Sequence, residues 1–137
     1  MLCRLLLKTS VPAVVLGLAL AGPGTASASR LVIPKLGLDV PVAKRLERGP
    51  QVYYRDGDTI GIAGHRTTYT RPFHSLPLLR RGDVIRLGSE RFRVRRTVVV
   101  RPWQVWILRW RGLVLSACHP AGSAAHRFVV LAAPIRP

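Results

Sequence analysis

The chain has 137 residues, and its 22 Lys and Arg residues against 6 Asp and Glu residues give a formal net charge of +16 at pH 7. This length fits one domain of ordinary size. Because 48% of the residues are hydrophobic, the composition excludes a disordered basic tail of the histone-tail or protamine kind, and the charge must lie on the surface of a domain that buries a core.

Residues 1–29 have the pattern of an export segment: basic residues, then an apolar stretch at residues 11–21, then small residues before a cleavage point. We expect a secretory signal peptide cleaved after Ala28. The alternative is an uncleaved N-terminal membrane anchor, which Lys8 disfavours because a span needs about 18 unbroken apolar residues. Either outcome places the domain at residues 30–137 outside the cytoplasm.

Residues 30–137 keep 20 basic and 6 acidic residues, a net charge of +14, and one cysteine, Cys118. An intramolecular disulfide is then impossible. A lone thiol is unusual in an exported domain, because export compartments are oxidising and their cysteines are normally paired. Cys118 therefore needs an explanation.

Short strands separated by turn residues dominate the domain. Segments rich in Val, Ile and Leu and bounded by Gly, Pro or Asp are typical of strands, and they lie at residues 31–33, 39–42, 59–63, 84–87, 91–100, 113–117 and 128–132. The 11 Pro and 12 Gly residues leave no window for a long helix, and the best helical candidate is one or two turns at residues 73–79. Seven or eight strands at this spacing predict an all-β fold, a closed or nearly closed barrel with short helical turns.

Cys118 lies at the end of the predicted strand 113–117, and Pro120 stops that strand two residues later. A thiol at a strand end can line a cleft and act as a nucleophile when an imidazole or a cation is near. The alternative is a buried cysteine that packs as a small hydrophobe.

Four histidines are candidates for the imidazole. His65 is favoured because it follows the predicted strand 59–63 and a glycine, so it also marks a strand end. His119 is disfavoured because adjacent residues on a strand point to opposite faces. His74 and His126 remain competitors, and each histidine can instead be an ordinary hydrogen-bonded residue.

Arg127 opens the last predicted strand, nine residues after Cys118. A hairpin-like return brings its guanidinium beside the thiol, where fixed donors can stabilise the oxyanion formed when a thiolate attacks a carbonyl. By itself Arg127 is one of 19 arginines and can be a solvated charge. Only its combination with Cys118 and a histidine is informative.

Five segments of the chain form a recognisable set. They are Ala63-Gly64-His65-Arg66-Thr67-Thr68-Tyr69, Pro72-Phe73, Leu79-Arg80-Arg81-Gly82-Asp83-Val84-Ile85, Leu115-Ser116-Ala117-Cys118-His119-Pro120 and Arg127-Phe128-Val129-Val130. In this order they resemble the sortases, and most closely the class E sortases of Gram-positive actinobacteria. The similarity runs from Leu31 to Ala132 and covers nearly the whole exported domain.

The resemblance implies a closed eight-stranded β-barrel cysteine transpeptidase that acts on cell-wall sorting signals. It implies that Cys118 is the nucleophile, His65 the general acid and base, and Arg127 the oxyanion or substrate-positioning group. The thiolate would attack the Thr–Gly carbonyl of an LPxTG-like or LAxTG-like pentapeptide, and an amine of a peptidoglycan precursor would resolve the thioester. The expected substrate-binding residues are Tyr69, Ala117 and His119.

The same resemblance implies the partners and the location. The partners are secreted proteins that bear a sorting signal, the peptidoglycan precursor, and the cell membrane or envelope surface, with no nucleic acid. The protein is expected outside the cytoplasm, at the cell surface or membrane, or secreted. No cofactor and no metal site is expected, because the six acidic residues are too scattered for a calcium cluster.

Two departures from the family pattern leave a degenerate, weakly active sortase as an alternative. Ala117 stands where the family usually has Thr, so a hydroxyl that could support the oxyanion is missing, and residues 43–58 are shorter than the corresponding family region. An L,D-transpeptidase is disfavoured because residues 116–119 lack the glycine of that family's motif, and length and context exclude a papain-like protease.

A non-enzymatic alternative also stands. The chain can be an exported basic barrel that binds an anionic cell-envelope polymer through a positively charged face with aromatic stacking groups. The residues of that face would be Arg91, Arg93, Arg95, Arg96 and Arg101, with Trp103, Trp106 and Trp110 for stacking.

Overall fold

The computed structural model describes residues 29–137, which form eight strands and four short 3₁₀ helices. The strands are β1 (Arg30–Ile33), β2 (Leu38–Pro41), β3 (Gln51–Asp56), β4 (Thr59–Ala63), β5 (Val84–Leu87), β6 (Glu90–Val100), β7 (Gly112–His119) and β8 (His126–Pro134). The 3₁₀ helices are Pro34–Leu36, Leu46–Arg48, Leu76–Leu78 and Val105–Arg109. The expected signal peptide or anchor lies outside the described residues, and in residues 29–137 no helix is long and apolar enough to cross a bilayer.

The eight strands form one sheet in the order β2-β1-β5-β6-β8-β7-β4-β3. All neighbours are antiparallel except β4 and β7, which run parallel. Because β2 and β3 are both edge strands, the sheet is an open, curled half-barrel, and the prediction of a closed barrel is wrong. Closure would require hydrogen bonds between β2 and β3. The backbone hydrogen bond from Ala43 N to Pro50 O joins the two ends of their connecting loop and does not pair the strands themselves.

The all-β prediction is confirmed, and each of the seven predicted strands overlaps an observed one. The prediction lacks β3, which pairs with β4 through a tight turn at Gly57. The predicted helical turns at residues 73–79 are present as the single 3₁₀ helix Leu76–Leu78.

Alternate residues along the strands face two hydrophobic clusters, as the pleat of a sheet requires. The larger cluster, on what we call the inner face, includes Ile62, Leu115 and Val130. The smaller cluster, on the outer face, includes Val114 and Val129. Odd-numbered residues of β7 therefore point to the inner face and even-numbered ones to the outer face, which decides the orientation of the candidate site residues.

The turn before β5 is held by Asp83. Its carboxylate accepts hydrogen bonds from the backbone N–H of Arg80 at 2.7 Å and from Nζ of Lys35 at 3.0 Å. Burial raises the pKa of Asp83, but the bond from Arg80 and the bond and charge of Lys35 outweigh it, so the pKa lies below the ordinary value of 3.8. The contact fastens the 3₁₀ helix after β1 to the start of β5.

Candidate active site

Cys118 lies at the end of β7, half-buried and on the outer face. Its cross-strand partner on β8 is Arg127, and directly opposed residues of an antiparallel pair project to the same face. The β7–β8 hairpin therefore brings the two residues side by side, in the return that the sequence predicts.

The parallel pairing of β4 with β7 brings His65 to the same end of the sheet. Ala63 pairs with Ser116, and Gly64 N donates to Ser116 O at 3.1 Å, which extends the ladder up to His65. The side chains of His65 and Cys118 line one cleft of about 180 Å³. Nε2 of His65 is buried and has no hydrogen-bond partner among the described residues, so the fold leaves the hydrogen-bonding capacity of this nitrogen unused.

The position of His65 depends on the glycine before it. A Cβ at Gly64 would lie 2.6 Å from Cδ2 of Phe73, so only glycine lets this fully buried ring pack against the end of β4. Phe73 N in turn donates to His65 O at 3.1 Å. The ring and this bond together fix the backbone that carries the imidazole.

Tyr69 lies over His65 from the solvent side. The two ring centroids are 4.9 Å apart with planes tilted by 41°, and Tyr69 is 65% exposed. Its φ of 54° lies in the left-handed region, which is uncommon for a non-glycine residue and marks a constrained loop. The loop thus presents an exposed aromatic ring at the mouth of the cleft.

Arg66 is a site residue that the sequence reasoning did not single out. Its Nη1 donates to Cys118 O at 3.1 Å and contacts Nδ1 of His119 at 3.0 Å, and Arg66 also lines the cleft. His119 points to the inner face, where its ring lies 6.0 Å from that of Phe128. The guanidinium therefore links the residues that follow β4 to the backbone at the end of β7.

The remaining candidate residues lie away from the thiol. His74 is exposed, and its Nδ1 donates to Arg66 O at 3.1 Å. Ala117 is 3% exposed and packs into the inner core, so its methyl group points away from the face that carries Cys118. His126 pairs with His119 one step beyond the Cys118–Arg127 pair.

Arg127 links the cleft to a neighbouring groove. Its Nη1 donates to Ala124 O at 2.9 Å and to His126 O at 3.0 Å, so two backbone carbonyls hold the guanidinium. Arg127 lines a groove of about 220 Å³ whose walls are largely apolar and include Val105, Ile107 and Leu108 from the β6–β7 connection. Ser116 lines this groove and Cys118 lines the cleft, so the two lie next to each other along the end of β7.

Tyr53 forms the wall of the groove opposite that connection. Its hydroxyl lies 3.3 Å from Oγ of buried Ser116, and its ring covers Gly61, where an added Cβ would lie 2.9 Å from Cζ. Burial raises the pKa of Tyr53, and the hydrogen bond to Ser116 offsets part of that rise. Neither Tyr53 nor Ser116 was predicted as a site residue.

The cleft combines the Cys118 thiol and the His65 imidazole, and the guanidinium of Arg127 lies beside it, opposite Cys118 in the register. This set suits nucleophilic attack on a carbonyl, with proton transfer at the imidazole and stabilisation of the oxyanion by the guanidinium donors. In residues 29–137 no three side chains of His, Cys, Asp or Glu lie close enough together to hold a metal ion.

Comparison with known proteins connects this geometry to a family. Residues 31–135 match the sortase domain family model. Sortase E1 from Streptomyces coelicolor, solved with a tripeptide in its active site, is 26% identical, with a TM-score of 0.71 over 80% of this chain and 88% of that one. Sortase C-1 from Actinomyces oris is 24% identical, with a TM-score of 0.72 over 80% of this chain and 74% of that one. A lid mutant of sortase A from Corynebacterium diphtheriae is 21% identical, with a TM-score of 0.72 over 81% and 71%. No curated protein matches significantly.

Proposed function

Since this chain belongs to the sortase family, we propose that it is an exported cysteine transpeptidase that cleaves an LPxTG-like or LAxTG-like sorting signal and joins the protein to a cell-wall amine. The observation that carries this proposal is the convergence of Cys118, His65 and Arg127 at one end of β4, β7 and β8. These residues are far apart in sequence, and a cysteine with only a packing role needs neither a histidine nor an arginine beside it.

The reaction has two steps. The Cys118 thiolate attacks the carbonyl carbon of the Thr–Gly bond, and the intermediate collapses to a thioester while the glycine amine leaves with a proton from His65. An amine of a peptidoglycan precursor then attacks the thioester carbonyl, His65 accepts the proton of that amine, and the thiolate leaves. The buried, unpartnered Nε2 of His65 supports its role as acid in the first step and base in the second.

Arg127 stabilises the oxyanion or positions the substrate carbonyl. It lies opposite Cys118 in the register, and two carbonyl contacts hold its guanidinium before substrate binds. A donor fixed in advance loses little freedom during the reaction, which is the condition under which electrostatic stabilisation is most effective.

The apolar groove beside Arg127 receives the residues that precede the scissile bond. Val105, Ile107 and Leu108 offer an apolar surface for a leucine side chain, and Tyr53 lies across from them. Tyr69, exposed above His65, contacts the substrate from the other side of the cleft. His119 acts through its contact with Arg66, and Ala117 contributes only its main chain.

The sequence supports an activity outside the cytoplasm. The export pattern at residues 1–29 and the net charge of +14 on the remaining residues fit a protein that works at a cell envelope rich in anionic polymers. The similarity to sortase E1 from Streptomyces coelicolor supports the class E assignment and hence a Gram-positive cell wall as its setting.

Cleavage of internally quenched peptides tests the proposal. We expect the wild-type chain to cleave an LPxTG or LAxTG peptide, Cys118→Ala to abolish cleavage, and His65→Ala to lower the rate about 100-fold or more. His74→Ala is the matched control, because His74 is an exposed histidine of the same loop, and it should retain cleavage. Cleavage by Cys118→Ala would overturn the proposed nucleophile, and loss in His74→Ala with retention in His65→Ala would overturn the proposed base.

A further inference from the structure

The outer face of β5 and β6 carries five exposed arginines, which we call the arginine face: Arg86, Arg91, Arg93, Arg95 and Arg96. The first three alternate with the core residues Ile85, Phe92 and Val94, and a bulge between Val94 and Arg96 adds Arg95 to the strand.

Acidic side chains are scarce on this face. Glu90 pairs with Leu87, whose side chain belongs to the inner core, so Glu90 points to the other face. The flanking strands β1 and β8 carry no acidic residue. On β2, one strand further out, Arg30 already holds Asp39 in an ion pair at 2.7 Å. The arginine face therefore carries an unbalanced positive charge.

The arrangement opposes folding stability. Arg86 lies directly opposite Arg91 in the register, and like charges in directly opposed positions destabilise a sheet. In residues 29–137 the side chains of Arg86, Arg91 and Arg95 make no ion pair and no hydrogen bond, since both ion pairs of that region lie elsewhere. A feature that is unfavourable locally and has no internal compensation is typical of a binding site.

The spacing of the arginines matches a linear polyanion. Residues two apart on a strand are separated by roughly 6.6 Å, so Arg91 and Arg93 lie one such repeat apart along β6. Arg95 follows them at the bulge, and Nη1 of Arg93 also donates to Gly82 O at 3.1 Å. Guanidinium groups bind phosphate oxygens in a planar, bidentate geometry. A chain of phosphodiesters offers charges at a comparable repeat.

The surroundings favour a polymer without bases. Non-specific binding of single-stranded nucleic acid relies on aromatic side chains on which bases stack. Here Arg96 lies over the ring of Trp106 at 5.7 Å and Arg101 over that of Trp103 at 5.5 Å, so one of the chain's own cations covers a face of each ring. The indole of Trp110 donates to Ala132 O and is part of the fold.

We propose that the arginine face binds a linear poly(alditol phosphate), a flexible polyanion whose repeating units are joined by phosphodiesters. The arginines start at the end of β6 that is remote from Cys118, since Arg93 pairs with Ala133 whereas Val100, at the other end, pairs with Arg127. A polymer bound there leaves the catalytic cleft open. This binding is independent of the proposed transpeptidase activity and would persist in the Cys118→Ala variant.

The test uses the full chain in a non-ionic detergent and a labelled poly(glycerol phosphate) as the probe. The variant Arg86→Gln/Arg91→Gln/Arg95→Gln removes three charges from the arginine face. The matched control Lys44→Gln/Arg45→Gln/Arg48→Gln removes three exposed charges from the β2–β3 connection. Affinity is measured against salt, with an oligothymidylate of equal charge as the competitor.

We expect the arginine-face variant to bind the probe at least about tenfold more weakly and its log–log salt slope to fall by about 3, while the control loses less than about threefold. The thermal midpoint of the arginine-face variant should not fall, because like-charge repulsion is relieved. Equal losses in the two variants would reduce the effect to net charge and overturn the proposal. Tighter binding of oligothymidylate than of poly(glycerol phosphate) would overturn the assigned class of polymer.

Discussion

Gly64→Ala should destabilise the fold and displace His65, the proposed general acid and base, at the same time. The new Cβ would lie 2.6, 2.7 and 2.9 Å from three ring atoms of Phe73, closer than unbonded carbons approach. Phe73 is fully buried, so its ring cannot turn out to solvent and must push into the core. Overpacking of this kind costs about 1–3 kcal/mol.

For a domain of this size each kcal/mol lowers Tm by roughly 4–8 °C, so we expect the Tm of Gly64→Ala to lie roughly 4–24 °C below that of wild type by differential scanning calorimetry. Peptide cleavage should fall about tenfold or more, since Phe73 N holds His65 O and small displacements of a catalytic group are costly.

A double-mutant cycle isolates the cause. Phe73→Leu alone leaves a cavity and lowers stability, but in the Gly64→Ala background it removes the atoms that clash. The loss of stability in the double variant should therefore be smaller than the sum of the losses in the two single variants by at least about 0.5 kcal/mol. A Gly64→Ala variant with the same Tm as wild type would refute the steric explanation, and so would strictly additive losses of stability in the cycle.

Three further outcomes follow from other contacts. Asp83→Asn should lower the free energy of unfolding by about 1 kcal/mol or less at neutral pH. Because the folded pKa of Asp83 lies below 3.8, the extra stability of wild type is present above that pH and is lost as the pH falls through the folded pKa. A stability difference that urea titrations find unchanged at low pH would contradict this explanation. Arg66→Ala should lower kcat about tenfold through loss of the bond to Cys118 O. Arg66→Lys should not restore kcat, because Nη1 makes both contacts and the lysine side chain is too short to place its ammonium at that position; full turnover in either variant argues against this role. Tyr53→Phe should lower the free energy of unfolding by about 1 kcal/mol in chemical denaturation, and an unchanged stability would show that its hydroxyl bond contributes nothing.

The hydrophobic pattern was sufficient to predict most of the sheet. Alternation at residues 91–95 and the apolar run at 113–117 correspond to β6 and β7. The pattern does not indicate β3, because its residues are mostly polar and none is buried. Gly57-Asp58, the two residues of the turn to β4, is nevertheless a hairpin signal. Closure of the barrel was not predictable, because it depends on whether two edge strands distant in the sheet order meet.

The site was predictable to a different extent for each residue. Cys118, His65 and Arg127 stand at strand ends, and strand ends can be found from the pattern of turn residues. The sequence does not distinguish Arg66 from the other arginines, of which the chain has 19 in all. Its contact with Cys118 O joins positions 52 residues apart, so only the folded structure reveals it. The groove at Tyr53 likewise needs the pairing of β3 with β4, which the sequence reasoning did not supply.

Mass spectrometry of the acyl-enzyme tests the central proposal most directly. The full chain is mixed with sorting-signal peptides that vary at the second position, quenched in acid, and digested to locate the adduct. We predict a thioester on Cys118 that carries the peptide up to its threonine, is released by hydroxylamine, and is absent from Cys118→Ala. A folded wild-type chain that forms no adduct with any of these peptides, or forms it at another residue, would contradict the assignment of Cys118 as the nucleophile of a transpeptidase.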